Sequence, residues 1–257
     1  MKKSNLLHRA IAIIALVQLL LCVTSCITQG NLNRPSIQAR LQKQYANALA
    51  NAALPRERKI YNNLTVAAVN NPQLVTKQIN GQTYLLAVSW KGDAKYYKNN
   101  PETGFYNTGK YPIWVTLAPE LKNLGAERRF SRRLGLDFRL KQLLGMPPAA
   151  NKQYMVEFWV KPDDLFRPCP DAETTDTACS LCFTEKTDSL HRQWINQTRL
   201  ASYYNCNIYD NYPWTQLGYT YDWNRKNKTH IGLSEFVIGA NKNIVVGNIY
   251  TTAEYFK

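Results

Sequence analysis

From Ala10 to Val23 every residue is apolar except Gln18, and Lys2, Lys3 and Arg9 stand in front of that run with no acid among them. This is the layout of an export signal: a basic n-region followed by an apolar h-region. The run is shorter than the roughly 20 residues that a spanning helix needs, and no later stretch of the chain is long and apolar enough to qualify. Residues 1–25 are therefore expected to be removed, which leaves the fold to be built from Cys26 onward.

The signal closes on Val23-Thr24-Ser25-Cys26. These four residues resemble the lipobox of bacterial lipoproteins: an aliphatic residue, two small residues, then a cysteine. Cys22 fits less well, because bulky Leu21 precedes it. The resemblance implies that the Cys26 thiol takes a diacylglycerol, that cleavage occurs before it, and that the new amine takes a further acyl chain. Two or more chains give stable anchoring where one does not. Ile27 follows Cys26, so in a host with two membranes the resemblance implies the outer membrane, and otherwise the outer face of the single membrane. The expected partner is thus the membrane itself, reached through the Cys26 lipid.

The full chain carries 32 Lys and Arg against 18 Asp and Glu. Without Lys2, Lys3 and Arg9 the excess falls to +11. A basic protein in the envelope is suited to anionic lipid headgroups, acidic glycans or an acidic protein partner. Export removes nucleic acid from that choice. The apolar content of 45% supports a full core.

The pattern along the chain predicts an α+β fold: one domain with a mostly antiparallel sheet, helices on one side, and a disulfide-stapled loop region. Residues 26–60 are expected to form anchor, tether and an N-terminal helix starting at Ser36, and 61–257 the α+β domain. Strands are predicted at Leu64–Val69, Thr83–Trp90, Ile113–Leu117, Tyr154–Val160, Gly218–Trp223, Ile231–Ile238 and Ile244–Ala253, from β-rich runs between turn residues. Helices are predicted over 119–144, where Leu136, Leu140, Leu143 and Leu144 share a face, and over His191–Tyr204. Residues 91–110 read as an exposed loop or a wide hairpin.

Beside Cys26 the exported part holds Cys169, Cys179, Cys182 and Cys206. An even count in an oxidising compartment reads as disulfides. Cys169–Cys179 with Cys182–Cys206 closes two compact loops; Cys169–Cys206 around Cys179–Cys182 is the alternative. The Cys179-Ser180-Leu181-Cys182 spacing lacks the strand and helix of a redox motif, and no second close pair supports zinc.

Further groups offer binding surfaces. Arg128, Arg129, Arg132 and Arg133 cover one side of a predicted helix, as a solvated face or as a seat for an anionic surface. Asp163, Asp164, Asp171, Glu173 and Asp176 lie in a proline-rich loop and match no calcium motif. Tyr212, Trp214, Tyr219, Tyr221 and Trp223 crowd into one short stretch, in which alternation leaves one face for the core and another for a ligand.

No G-x-S-x-G, H-E-x-x-H or phosphate loop is present, and no cofactor motif. Only His191 and His230 remain after the signal. The segments L-F-R-P-C-P at Leu165–Pro170 and L-G-Y-T-Y-D-W at Leu217–Trp223 resemble those of uncharacterised exported bacterial proteins, a likeness that carries no function. The expectation is a non-enzymatic envelope lipoprotein that binds a protein partner or an anionic envelope component. The alternatives are an envelope hydrolase using a histidine and a carboxylate, and an immunity or inhibitor lipoprotein.

Overall fold

A computed structural model of the chain describes residues 34–126 and 135–257. The export signal, Cys26 and the run Arg128, Arg129, Arg132 and Arg133 lie outside the described residues. The fold is α+β, with one large sheet in which every pairing is antiparallel. No helix among the described residues is long and apolar enough to cross a membrane.

The sheet is assembled from β1 (Thr76–Ile79), β2 (Gln82–Lys91), β3 (Tyr106–Asn107), β4 (Ile113–Leu117), β5 (Tyr154–Val160), β6 (Leu165–Phe166), β9 (Phe236–Ile238) and β10 (Asn243–Thr251). Their order is β3-β10-β5-β2-β4-β9-β6, with β1 paired to the first half of β2. A separate ribbon pairs β7 (Tyr219–Tyr221) with β8 (Ile231–Ser234). Among the described residues five α-helices complete the fold: α1 (Pro35–Ala52), α2 (Glu120–Ala126), α3 (Leu136–Leu143), α4 (Ser189–Tyr203) and α5 (Thr252–Tyr255).

Strand parity divides the core into two layers. Leu85 and Ala87 of β2, Ile113, Val115 and Leu117 of β4, Val156, Phe158 and Val160 of β5, and Phe236 and Ile238 of β9 share one face. This face is closed by irregular chain, through Ala67, Leu74, Ala94 and Tyr97. The alternate residues Val88, Trp90 and Met155 meet Leu121 of α2, Leu140 and Leu143 of α3 and Tyr255 of α5. The helices therefore lie on one side of the sheet, as the sequence pattern predicts.

One expectation needs correction. Leu64–Val69 is not a strand. Its amides are satisfied elsewhere, Leu64 N and Ala67 N donating to the carbonyls of Thr177 and Thr174, both at 2.9 Å, and Thr65 N to Ser234 Oγ at 2.8 Å. The helical stretch expected over 119–144 holds two helices, α2 and α3, the second preceded by Gly135 at a φ of 78°. The segment 91–110 is mostly an exposed loop, as expected, anchored where Tyr97 packs on Phe158 at 5.4 Å between centroids and the Asn99 side chain bonds both ways to Val246. The N-terminal helix is packed on the body: Tyr45 of α1 is fully buried, donates to the Asn211 carbonyl at 2.8 Å and meets Trp223 edge-on at 6.0 Å.

Candidate functional site

On the helical face of the sheet, β2 and β4 pair through Ala87–Leu117 and Val88–Thr116. Beyond Val88 the sheet is joined there by a side chain, Ser89 Oγ donating to the Trp114 carbonyl at 2.7 Å. A cavity of about 580 Å³ lies over this divergence, bounded also by α4, by the end of α3 and by Tyr212–Trp214. That volume is in the range of small-molecule sites.

Four of the chain's six tryptophans line it: Trp90 on β2, Trp114 on β4, Trp194 on α4, and Trp214. Trp114, Trp194 and Trp214 form a cluster with ring centroids 5.7–6.2 Å apart. The register places each ring. Trp90 and Trp114 fall on the helical face by alternation, and Trp194 is carried to them by α4, whose first turn is capped by Asp188 accepting from Leu190 N and His191 N. Trp90 Nε1 donates to Thr252 Oγ1 and Trp214 Nε1 to the Pro168 carbonyl. Their polar ends are thus engaged away from the cavity.

Glu235, in the one-residue gap between β8 and β9, also lines the cavity. Its carboxyl has no hydrogen-bond donor and no cation among the described residues. The residue is half-buried, and its partial removal from water pushes its pKa up to about 8. A second raised carboxyl stands behind the wall: burial lifts Glu120 to about 7, while Ser234 N and Thr65 Oγ1 donate weakly to it at 3.3 and 3.4 Å.

Lys91 also borders the cavity, but alternation sends its side chain to the opposite face, where the ammonium lies 5.7 Å from the Tyr97 ring centroid. Burial, with repulsion from Lys152, lowers its pKa to about 8.

The aromatic stretch is not an open surface. Trp214, Tyr219, Tyr221 and Trp223 are all at most 5% exposed, and only Tyr212, at 43%, reaches solvent. The opposite side of the strand is closed as well: Thr220 Oγ1 donates to the Leu143 carbonyl, and Asp222 is paired with Arg139. Tyr212, Trp214 and Tyr221 nevertheless line the cavity. The stretch therefore contributes to a concave site and not to a flat patch.

Cys169 and Cys179 form the expected disulfide. The second expected bridge is absent: Cys182 and Cys206 are exposed free thiols, set on different loops at opposite ends of α4. The acidic loop is held internally. Asp164 pairs with Lys242 at 3.1 Å, Asp171 accepts from Ser180 N at 2.9 Å, Glu173 accepts from Thr175 Oγ1, and the Asp176 carboxylate lies 3.7 Å from the buried Arg167 guanidinium. One group of metal-capable atoms stands out among the described residues, Cys169, Asp171 and Cys179, and its two sulfurs are those of the disulfide.

Neither histidine is paired with a carboxylate. His191 Nε2 lies 2.7 Å from the Cys169 carbonyl, between Phe166 and Trp194. His230 Nδ1 donates to the Asp222 carbonyl at 2.9 Å and the ring stacks on Tyr221. It borders a smaller cleft of about 310 Å³ together with Arg225, Lys228 and the amides Gln44, Asn47 and Asn51 of α1, and no acid lines that cleft. The hydrolase reading thus finds no histidine–carboxylate dyad among the described residues.

Sequence reasoning missed Glu235 and Trp194. The available signal was the single acid placed between apolar Leu233 and Phe236, where a strand pattern demands an explanation for a charge. No family model, no curated protein and no solved structure matches the chain.

Proposed function

We propose that this chain is a membrane-anchored envelope lipoprotein with a non-enzymatic binding role, and that its ligand, whether a small molecule or a side chain of a partner protein, enters the tryptophan-lined cavity. The observation that carries this reading is the cluster of Trp114, Trp194 and Trp214 around a cavity of about 580 Å³. A large concave apolar site with a few polar groups and a perturbed carboxyl is the usual form of a ligand site. The net positive charge suits an anionic membrane surface around the anchor.

Two measurements test the proposal. Metabolic labelling with a clickable fatty acid should mark the native chain and not Cys26→Ser; an unlabelled native chain removes the anchor. Native mass spectrometry of the protein taken from its own membranes should show a bound species that is lost in a Trp114→Ala/Trp194→Ala variant. A bound species retained in that variant places binding elsewhere.

A further inference from the structure

We propose that the tryptophan-lined cavity receives an organic cation, whose positively charged nitrogen pairs with Glu235 while its hydrocarbon part lies against the indoles. The inference rests on the reading of the cavity as a ligand site and names the chemistry of what enters.

The polar groups are distributed unevenly along the cavity. Phe236 pairs with Val115, so Glu235 continues β9 at the level of Thr116, which in turn pairs with Val88. Lys91 lies three residues further along β2, roughly 10 Å away at strand spacing. Lys152 precedes β5 beyond that same end, because Tyr154 is the register partner of Lys91. The described residues pair no cation with Glu235; Arg199 of α4, which acts on the same Tyr203 hydroxyl as Glu235, is engaged by the side chains of Gln216 and Asn196. The Lys91 ammonium is carried to the other face.

A carboxyl in this position is costly. Half-buried, it gives up part of its hydration and finds no protein donor in exchange. Away from water Glu235 holds its proton up to about pH 8, and a bound ammonium restores the charged form by supplying the missing counter-ion and N–H donors. The surrounding walls suit the same ligand. An indole presents a negative face, and a cation within about 6 Å of its centroid is attracted to it, more strongly where water is excluded. With the Nε1 groups of Trp90 and Trp214 bonded elsewhere, those two rings offer only π surface and edges. An anion entering here would meet a carboxyl and the negative faces of the rings.

The test is a pair of probes of equal chain length, hexylammonium and 1-hexanol, titrated into the purified full-length protein at pH 8.5 and followed by tryptophan fluorescence. Hexylammonium is expected to bind at least tenfold more tightly than hexanol. In Glu235→Gln the preference should fall below threefold while hexanol binding stays unchanged. Equal or tighter binding of hexanol to the native protein overturns the cation assignment and leaves the cavity as a binding site. A preference that survives Glu235→Gln also overturns it, because the charge is then read by another group. No response to either probe overturns both the assignment and the reading of the cavity on which it rests. The comparison on the native chain decides the matter even if the variant does not fold.

Discussion

Arg139 holds Asp222 through two parallel hydrogen bonds, Nη1 to Oδ1 at 2.8 Å and Nη2 to Oδ2 at 2.7 Å. The pair fastens α3 to the turn after β7, and Asp222, with its side chain 2% exposed, also accepts from Asn224 N and Asn227 Nδ2. Removing one partner of such a pair leaves the other charge buried and alone, at a cost of roughly 3–5 kcal/mol. Arg139→Met and Asp222→Leu should each lower the stability measured by urea unfolding by that amount, and the double variant should recover most of it. Additive losses would show that the two residues act independently.

Alkylation separates the cysteines. Without reduction, Cys182 and Cys206 should take label at once, because both are exposed, while Cys169 and Cys179 should take none. Mass spectrometry of peptides reads the pattern. A protein in which none of the four is labelled would restore the second bridge. The Cys169→Ser/Cys179→Ser variant should lose about 2–4 kcal/mol, since both sulfurs sit in the buried cluster with Leu64, Leu217 and Tyr219.

Gly232 marks a close approach of two chain segments. A Cβ there would stand 2.2 Å from Thr220 Oγ1, 2.5 Å from the Thr220 carbonyl and 2.8 Å from the Leu143 carbonyl. Two of these three are backbone atoms that cannot swing aside. Gly232→Ala is expected to destabilise by about 1–3 kcal/mol or more by overpacking. It should also weaken probe binding in the cavity, because Thr220 lines it. A thermal midpoint indistinguishable from the native one would contradict this geometry.

Glu235 gives a stability signature in pH. A carboxyl whose folded-state pKa is raised favours folding in its protonated form. Its contribution is full below the unfolded value of about 4.3 and is lost as the pH climbs through about 8. The slope from this one group reaches at most about 1.4 kcal/mol per pH unit. Glu120, raised to about 7, adds a slope of the same sign. Urea unfolding between pH 5 and 9 should therefore show the native chain losing stability relative to Glu235→Gln as the pH rises. Parallel curves would mean that the Glu235 carboxyl is solvated.

The parts of the fold that were legible in the sequence are those whose apolar pattern is local. Ile113–Leu117 and Tyr154–Val160 are runs buried on both faces between turn residues, and both are strands with those bounds. The helix expected over His191–Tyr204 spans Ser189–Tyr203, with Asp188 as its cap. What escaped depends on partners far away in the chain. The strand β1 is polar and largely exposed, and its one signal is the two-residue turn Asn80-Gly81, both at positive φ, that joins it to β2. The stretch 64–69 has strand composition, yet its amides are taken by the disulfide loop and by Ser234. The aromatic segment alternates as a half-exposed strand would, and only the arrival of α1 and α3 closes its other face. Three tryptophans of the cavity wall come from β4, α4 and a loop after it, so no short window of sequence holds the site.

The docking of α1 has a mechanical consequence. Because Tyr45 is wedged against Trp223 and Tyr209, and Phe138 meets Trp223 from the other side at 5.5 Å, the helix cannot lift without opening an aromatic cluster. If Cys26 carries the proposed lipid, eight residues of chain separate it from Arg34, which bounds the distance to at most roughly 29 Å. Tension on the lipid would then pass directly into the body, and the domain would ride close to the bilayer rather than range freely through the space around it.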